Sequence, residues 1–192
     1  MLDSNTDIHL RNQILKYHLA DLLTDVERAK LLGLPAGCRI RERAKILSLE
    51  RLRIGKNVWI GEGAVLDAQG GLEIGDNTQI GLNVMVWSHT SHKQAIDGNT
   101  GSGTKNGIKY SETRIGANCF IGGPSVIAPG VIIGDGVIIS PLTFVDRNVA
   151  DGEVFSAPRN QNKLQQKVER LEALVRDLKG RLDELSERIR VQ

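Results

Sequence analysis

A repeat of six residues runs from Ile115 to Ala150, a stretch that divides into the hexads IGANCF, IGGPSV, IAPGVI, IGDGVI, ISPLTF and VDRNVA. The first place always holds Ile or Val, and the fifth holds a small residue: Cys119, Ser125, Val131, Val137, Thr143 and Val149. Asn or Gly, which tolerate positive φ at low steric cost, fill the fourth place in four hexads: Asn118, Gly130, Gly136 and Asn148. This short fixed period predicts a stacked β-solenoid, in which the aliphatic side chains fill a prism and each hexad forms one face.

The same repeat occurs between residues 36 and 86, but with a longer coil. The clean hexads there are IGKNVW, IGEGAV, IGDNTQ and IGLNVM. The segments that begin at Ile46 and Leu66 hold eight residues each, so one segment of eight and two of six make a coil of 20 residues. Ile46, Leu66 and Val86 then fall in one column, and we expect an enlarged corner of the prism after each of them.

The third corner of this column is a long excursion. The next hexad begins at Ile115, so the residues from Trp87 to Arg114 must leave the prism and return. Resumption of the repeat predicts three stacked pairs: Ile115 over Ile74, Ile121 over Ile80, and Ile127 over Val86. The excursion contains two histidines, a tip rich in Gly, Ser and Asn, and Tyr110. Because long loops on a rigid scaffold often carry function, the chemistry is expected here.

Residues 1–35 are predicted to form an N-terminal helical cap. Apolar residues recur at roughly helical spacing from Ile8 to Leu31, with capping residues before them and Gly33 and Pro35 after them. We expect the leucine-rich face to cover the open end of the first coil. A helix lying on a membrane surface is the alternative, which the acidic residues of this segment disfavour.

Residues 161–192 are predicted to form a C-terminal coiled coil. Apolar residues follow one another in steps of four and three: Leu164, Val168, Leu171, Val175, Leu178, Leu182, Leu185 and Ile189. This heptad spacing favours association with other helices, and a single helix folded back on the solenoid is the alternative. The middle domain, residues 36–160, is then the β-helix with its loop at 87–114.

Bulk composition excludes several classes of protein. The net charge is +2 without a dense basic block, so nothing indicates nucleic-acid binding. The two cysteines, Cys38 and Cys119, form no disulfide framework, and Cys119 is expected to be a buried thiol. Since the sequence has neither a signal peptide nor an apolar run long enough to span a bilayer, we expect a cytoplasmic protein.

With the hexads and the histidine loop both in view, residues 36–159 resemble the hexapeptide-repeat acyltransferases, and in particular the branch that O-acetylates sugars of bacterial surface polysaccharides such as O-antigen or capsule. The resemblance implies a mainly β fold, a left-handed parallel β-helix, with acetyl-CoA as co-substrate. It also implies a homotrimer with active sites in the clefts between prisms. A parallel three-stranded C-terminal coiled coil fits that symmetry.

The resemblance also assigns candidate site residues. In the family a loop histidine takes a proton from the acceptor hydroxyl, and the matching residues here are His92, the first candidate, and His89. An imidazole suits this task because its ordinary pKa lies near working pH. Asp67, one coil below Trp87, is expected to orient a histidine or to hold the acceptor sugar, and Trp87 to stack on that sugar or to shield the site. For CoA, the matching residues are Gly123, Arg147 and Arg159.

Two other functions compete with this hypothesis. A zinc site like that of a trimeric β-helix carbonic anhydrase would need three imidazoles, but two of the four histidines, His9 and His18, lie in the N-terminal segment, so no metal is expected. The other alternative is a non-catalytic trimeric scaffold in a glycan-assembly complex, with the coiled coil as its docking element.

Overall fold

The computed structural model describes residues 22–98, 107–157 and 161–190, with side chains in the last range described over 167–182. The chain divides into two compact units, Met1–Ala157 and Pro158–Gln192. Arg159 and the predicted helical segment before residue 22 lie outside the described residues.

Short strands dominate the first unit. They are β1 Arg39–Ile40, β2 Lys45–Leu47, β3 Leu52–Ile54, β4 Trp59–Ile60, β5 Val65–Asp67, β6 Leu72–Ile74, β7 Gln79–Ile80, β8 Met85–Val86, β9 His89–Thr90, β10 Lys109–Tyr110, β11 Thr113–Ile115, β12 Phe120–Ile121, β13 Val126–Ile127, β14 Ile132–Ile133, β15 Ile138–Ile139, β16 Phe144–Val145 and β17 Val154–Phe155. The helices are α1 Asp25–Leu31, α2 His92–Ile96 and α3 Gln161–Arg190, with a 3-10 turn at Leu49–Arg51.

Parallel pairing between successive coils builds three sheets, one for each face of the prism. Face A has the order β1-β4-β7-β12-β15-β17, face B has β2-β5-β8-β13-β16, and face C has β3-β6-β11-β14. The predicted stacking is confirmed, because Ile115 pairs with Ile74, Ile121 with Ile80, and Ile127 with Val86. Ile46, Leu66 and Val86 also form one column, as expected. The predicted fold class, a mainly β parallel β-helix with helices at both ends, is therefore confirmed.

The hexad places have the burial that the repeat predicts. The aliphatic residues at the first place of the last six hexads are at most 2% exposed. All six small residues at the fifth place, including Cys119, are buried as well. Burial raises the pKa of the Cys119 thiol, whose Sγ donates to the carbonyl oxygen of Gly134, so this cysteine is a packed side chain and not a reactive one.

The turn residues agree with the repeat in three of four places. Asn118, Gly130 and Gly136 have positive φ, but Asn148 does not. The expectation for Asn148 was wrong because its side chain makes the turn contact instead: its Oδ1 accepts a hydrogen bond from the backbone N–H of Ile132 at 2.9 Å. Leu142 adopts φ 60° at the fourth place of another hexad, where its N–H donates to the Pro124 carbonyl at 2.7 Å.

Asparagine side chains also form a ladder along one corner. Asn57, Asn77 and Asn118 all have positive φ. The amide of Asn57 donates to Asn77 at 3.1 Å, and that of Asn77 donates to Asn118 at 3.2 Å. A residue type chosen for its backbone conformation therefore also links three coils by hydrogen bonds.

The helix α1 begins at a capping box that the sequence interpretation missed. The Thr24 side chain accepts from the N–H of Glu27, and the Glu27 carboxylate accepts from the N–H of Thr24. Ala29 and Arg28 are buried, and Arg28 Nη1 donates to the carbonyl oxygen of Ile40 in β1 at 3.0 Å. Helix α1 therefore packs on β1 in the first coil, and the earlier part of the predicted cap lies outside the described residues.

The helix α3 exposes the apolar seam that the heptad spacing predicts. Val168, Leu171, Val175, Leu178 and Leu182 are each about half exposed. Leu174, next to the seam, is 56% exposed. None of the helices among the described residues combines the length and apolar character needed to cross a membrane.

Candidate functional site

The site is built on the column of Leu66 and Val86, where two enlarged corners lie one above the other. Asp67, the last residue of β5, follows Leu66, and Trp87 follows Val86 in the next coil. Asp67 is completely buried. Its Oδ1 accepts from the N–H of Gln69 at 3.0 Å and its Oδ2 from the N–H of Ser88 at 2.9 Å, so the carboxylate ties the two corners together.

These hydrogen bonds keep the carboxylate ionised. Burial alone would favour the neutral acid, but the N–H donors of Ser88 and Gln69 and the nearby His89 outweigh it, and the pKa of Asp67 lies below its ordinary value. At neutral pH Asp67 is therefore an anion that can only accept hydrogen bonds.

His89 receives its orientation from this carboxylate. Its Nδ1 lies 2.6 Å from Asp67 Oδ2, and because the carboxylate only accepts, Nδ1 must carry the proton. The neutral imidazole then has its lone pair on Nε2, the nitrogen that a general base uses. The side chain of His89 is 20% exposed, so the ring is accessible from solvent while its Nδ1 edge is held.

Two aromatic side chains pack against the imidazole. The Trp87 ring meets it edge to face, with ring centroids 6.3 Å apart. The Tyr110 ring lies across from it at 5.9 Å with an interplanar angle of 31°. Trp87 and Tyr110 therefore border the imidazole of His89 on two sides.

The excursion returns to the prism through contacts to the strand that left it. The N–H of Ser111 donates to the carbonyl oxygen of Ser88 at 2.8 Å, and buried Thr113 donates to the carbonyl oxygen of Trp87 at 2.6 Å. Arg53 and Arg114 both donate to the carboxylate of Glu112, which lowers the pKa of Glu112. The returning strand is therefore fixed on face C before the hexads resume.

His92 has a different environment. It begins α2, is exposed, and its Nδ1 contacts the hydroxyl of Thr90 at 2.7 Å. A hydroxyl can donate or accept, so it does not fix the tautomer of His92 as a carboxylate fixes that of His89. The structure therefore places a carboxylate against His89 and a hydroxyl against His92, although the resemblance put His92 first.

The residues expected to contact CoA lie elsewhere on the chain. Gly123 packs closely on the backbone of Leu82, where a Cβ would collide with the carbonyl group, so this glycine has a structural role of its own. Arg147 is exposed and its guanidinium lies 4.6 Å from the centre of the Phe155 ring. Among the described residues Arg147 forms no ion pair with a carboxylate, and its partner is the Phe155 ring.

The structure thus brings together Asp67, Trp87 and His89 of the predicted residues. It adds Ser88 and Tyr110, which the sequence interpretation did not assign to the site. Ser88 is buried with its hydroxyl donating to Asp67 at 3.2 Å. In the sequence, Ser88 could have been noticed because it lies between Trp87 and His89. Tyr110 could have been noticed because it lies just before the repeat resumes. In the described part of the chain, no three His, Cys, Asp or Glu side chains cluster so as to hold a metal ion.

Two family models match the repeats. "Bacterial transferase hexapeptide (six repeats)" matches residues 112–147, and "Hexapeptide repeat of succinyl-transferase" matches residues 51–87. Among curated proteins, a UDP-3-O-acylglucosamine N-acyltransferase of Delftia acidovorans is 30% identical over 120 residues, which are 58% of this chain. The match spans only 32% of that relative's length.

Solved structures share the fold at low sequence identity. The hexapeptide-repeat acetyltransferase VCA0836 of Vibrio cholerae is 17% identical with a TM-score of 0.64, over 81% of this chain and 89% of that one. A maltose O-acetyltransferase of Clostridium difficile 630 is 21% identical with a TM-score of 0.55, over 78% and 81%. VCA0836 has also been solved in complex with acetyl-CoA. The repeats and their stacking agree with these matches: the chain carries hexapeptide repeats that the two family models recognise over residues 51–87 and 112–147, and it shares the β-helix fold of hexapeptide-repeat acetyltransferases.

Proposed function

We propose that this protein is an acyltransferase that moves an acetyl group from acetyl-CoA to a sugar hydroxyl, with His89 as general base. The observation that carries the proposal is the buried Asp67 carboxylate 2.6 Å from His89 Nδ1, at the one corner of the hexapeptide β-helix that opens into a long excursion. A general base needs a carboxylate that fixes the tautomer of a partly exposed histidine. A turn that serves only packing has no need of such a pair.

The chain's own groups account for the proton movements. His89 Nε2 accepts the proton of the acceptor hydroxyl as the oxygen bonds to the acyl carbon, and Asp67 stabilises the imidazolium that forms. Acetyl-CoA supplies the activated acyl group when bound. As the carbon–sulfur bond breaks, the proton on Nε2 goes to the departing sulfur, which leaves His89 neutral for the next turnover.

The proposed contacts to CoA are Gly123, Arg147 and Arg159. Support on the described residues comes from Arg147, whose exposed guanidinium is held over Phe155 without a carboxylate partner among them. A fixed cation of this kind suits a phosphate group of CoA. Of the two roles expected for Asp67, we propose that it orients His89, because its carboxylate is fully buried, and Trp87 remains a proposed contact for the acceptor. We propose that the reaction belongs to surface-polysaccharide synthesis and takes place in the cytoplasm.

An amino sugar is the second candidate acceptor. The curated relative named above acts on a glucosamine nitrogen by its name, whereas the maltose enzyme acylates oxygen. The same base would serve both, because an attacking amine also loses a proton. A panel of hydroxyl and amino sugars, supplied as sugar nucleotides and as lipid-linked glycans, separates the two acceptors.

The decisive experiment measures acetyl-CoA turnover by thiol release for His89→Ala and His92→Ala. We expect His89→Ala to lower kcat by about 10²- to 10⁴-fold, the usual scale for the loss of a general base, and His92→Ala to cause a much smaller loss. The opposite ranking would return the base to His92. An inactive wild-type protein with every acceptor would favour the scaffold hypothesis.

We further propose a homotrimer formed through the sides of the β-helix. Two outer faces of the prism carry exposed apolar side chains: Phe120, Ile138 and Val154 on face A, and Met85 and Phe144 on face B, with half-buried Val126 between them. Face C instead carries a charged column of Arg53, Glu73 and Arg114. Exposed contiguous apolar surface of this kind is typical of an interface, and two further copies of the chain are the proposed partners.

The seam of α3 is proposed to join the same three copies as a parallel coiled coil. Lys167 and Glu172 flank the seam at positions that attract each other between parallel neighbours, and exposed Leu174 widens the apolar stripe. Light scattering should give three times the 21.0 kDa chain mass. Deletion of residues 161–192 should lower the melting temperature with turnover unchanged if the helix is a clamp. If it recruits a partner, turnover should persist while modification in cells is lost.

A further inference from the structure

We infer that Tyr110 is a positioning residue for His89, holding the imidazole in the orientation in which Nε2 faces the acceptor. The inference rests on the proposed function only for its test by enzyme turnover. The observation behind it is the Tyr110 ring at 5.9 Å and 31° from the imidazole, from a residue 21 positions further along the chain. Asp67 fixes one edge of the ring, and a single hydrogen bond leaves the ring free to tilt about the axis of that bond.

The backbone presents Tyr110 to His89 directly. Strands β9 and β10 are antiparallel, and Tyr110 is the register partner of His89, with Lys109 opposite Thr90. Side chains of such a pair lie on the same face of a two-stranded ladder and contact each other. The excursion therefore turns back on itself, and its returning strand β10 places Tyr110 beside His89 in the departing strand β9.

The position of Tyr110 is fixed from the prism side. The next residue, Ser111, donates its N–H to the carbonyl oxygen of Ser88, and the residue after that, Glu112, accepts from Arg53 and Arg114 on face C. Ser88 in turn donates to Asp67 through both its N–H and its hydroxyl. The carboxylate and the tyrosine that contact the imidazole are thus anchored to the same backbone segment.

The imidazole is therefore limited in three directions. Asp67 holds Nδ1, the edge-to-face contact with Trp87 covers one side, and Tyr110 covers another. Among the described residues the Tyr110 hydroxyl makes no hydrogen bond, and the contact seen with His89 is that of the ring. Contact by an aromatic ring is retained in phenylalanine, which gives a matched variant.

The experiment compares Tyr110→Ala, Tyr110→Phe and Lys109→Ala in the full-length protein. Lys109 is the neighbour in the same strand, is exposed, and controls for damage to the β9–β10 ladder. The first readout is the NMR spectrum of the histidine rings, in which ¹⁵N shifts report the tautomer and relaxation of the ring carbons reports how freely each imidazole moves, without any need for turnover. The sequence has only four histidines, so His89 is assigned with the His89→Ala variant.

We expect the His89 ring to be rigid in wild type, Tyr110→Phe and Lys109→Ala and more mobile in Tyr110→Ala, with the Nδ1–H tautomer kept in all four because Asp67 still accepts from Nδ1. In turnover, Tyr110→Ala should lower kcat by about 10- to 100-fold with KM nearly unchanged, as expected for a misplaced catalytic group, and Tyr110→Phe should restore the rate.

Three results would overturn the inference: unchanged mobility of the His89 ring in Tyr110→Ala, equal loss of activity in Tyr110→Phe, or a change confined to KM, which would make Tyr110 an acceptor contact. If the wild type shows no turnover, the proposed function fails, while the relaxation measurement still decides whether Tyr110 positions the ring.

Discussion

The corner after Leu66 and the corner after Val86 occupy the same column of the prism, yet they differ in almost every other respect. The first closes within the coil, through Asp67 to Glu73, and is held by its own backbone and by the carboxylate. The second leaves at Trp87 and returns only at Arg114. The short corner provides a buried charge in a fixed place, and the long corner provides the side chains that this charge orients.

This division has a physical reason. A buried carboxylate is stable only if donors surround it, and a short turn on a rigid coil can supply backbone N–H groups at fixed positions. An imidazole that must meet a substrate needs access to solvent, which the excursion gives to His89. Neither corner is able to form the Asp67–His89 pair alone, so the pair depends on the stacking of one coil on the next.

The largest effect is expected when the charge that links the corners is removed. Asp67→Asn keeps the size of the side chain, but its one carbonyl oxygen cannot serve both the N–H of Gln69 and the Ser88–His89 side. We expect kcat to fall on the order of 10²-fold through loss of the His89 tautomer, measured by acetyl-CoA turnover. Asp76→Asn, a change in an exposed turn carboxylate that accepts from the N–H of Lys56, is the control. Equal losses in both variants would contradict a special role for Asp67.

A smaller effect is expected when the two corners are forced apart. A Cβ at Gly70 would collide with the carbonyl oxygen of Ser88 and would lie 2.9 Å from the N–H nitrogen of Ser111. Since these are backbone atoms of the next corner, Gly70→Ala should destabilise the fold by about 1–3 kcal/mol, the usual cost of overpacking. The measurement is the denaturation midpoint in urea. Gly180→Ala, which meets nothing within 4 Å, is the control and should not destabilise; a Gly70→Ala midpoint equal to that of wild type would mean that the corners can separate freely.

The smallest effect is expected from acid. Because the pKa of Asp67 is lowered in the folded state, its ionised form stabilises the fold at every pH above the unfolded value of ~3.9, and this contribution is lost as pH falls through the folded pKa. The difference in melting temperature between wild type and Asp67→Asn should therefore be constant at neutral pH and should shrink below about pH 4. A difference that does not depend on pH would mean that the carboxylate charge does not stabilise the stacked corners.

Sequence reasoning recovered the parts of the molecule that repeat. The columns of Ile and Val were predictable because each residue's place depends only on counting sixes and eights, and the heptad seam of α3 for the same reason. The exceptions are local: Asn148 uses its side chain where a backbone conformation was expected, and Leu142 takes positive φ without a residue type that signals it.

The candidate site was only partly predictable. Asp67 and Trp87 could be placed in successive corners from the register alone. The sequence could not show which of His89 and His92 reaches the Asp67 carboxylate. Nor could it show that Tyr110 meets His89, because the two residues pair within the excursion, where no repeat sets the register. The six-residue repeat predicts the β-helix, whereas contacts inside an irregular segment can be seen only in a structure.

Ile115 pairs with Ile74 as though the chain had never left the prism. The stability of the core therefore depends little on how many residues are inserted between Val86 and Ile115, since a longer closed loop costs little additional free energy. A variant in which that segment is lengthened, shortened or exchanged should therefore still fold. Under the proposed function, a change of acceptor would then need replacement of this segment alone, with the β-helix unchanged.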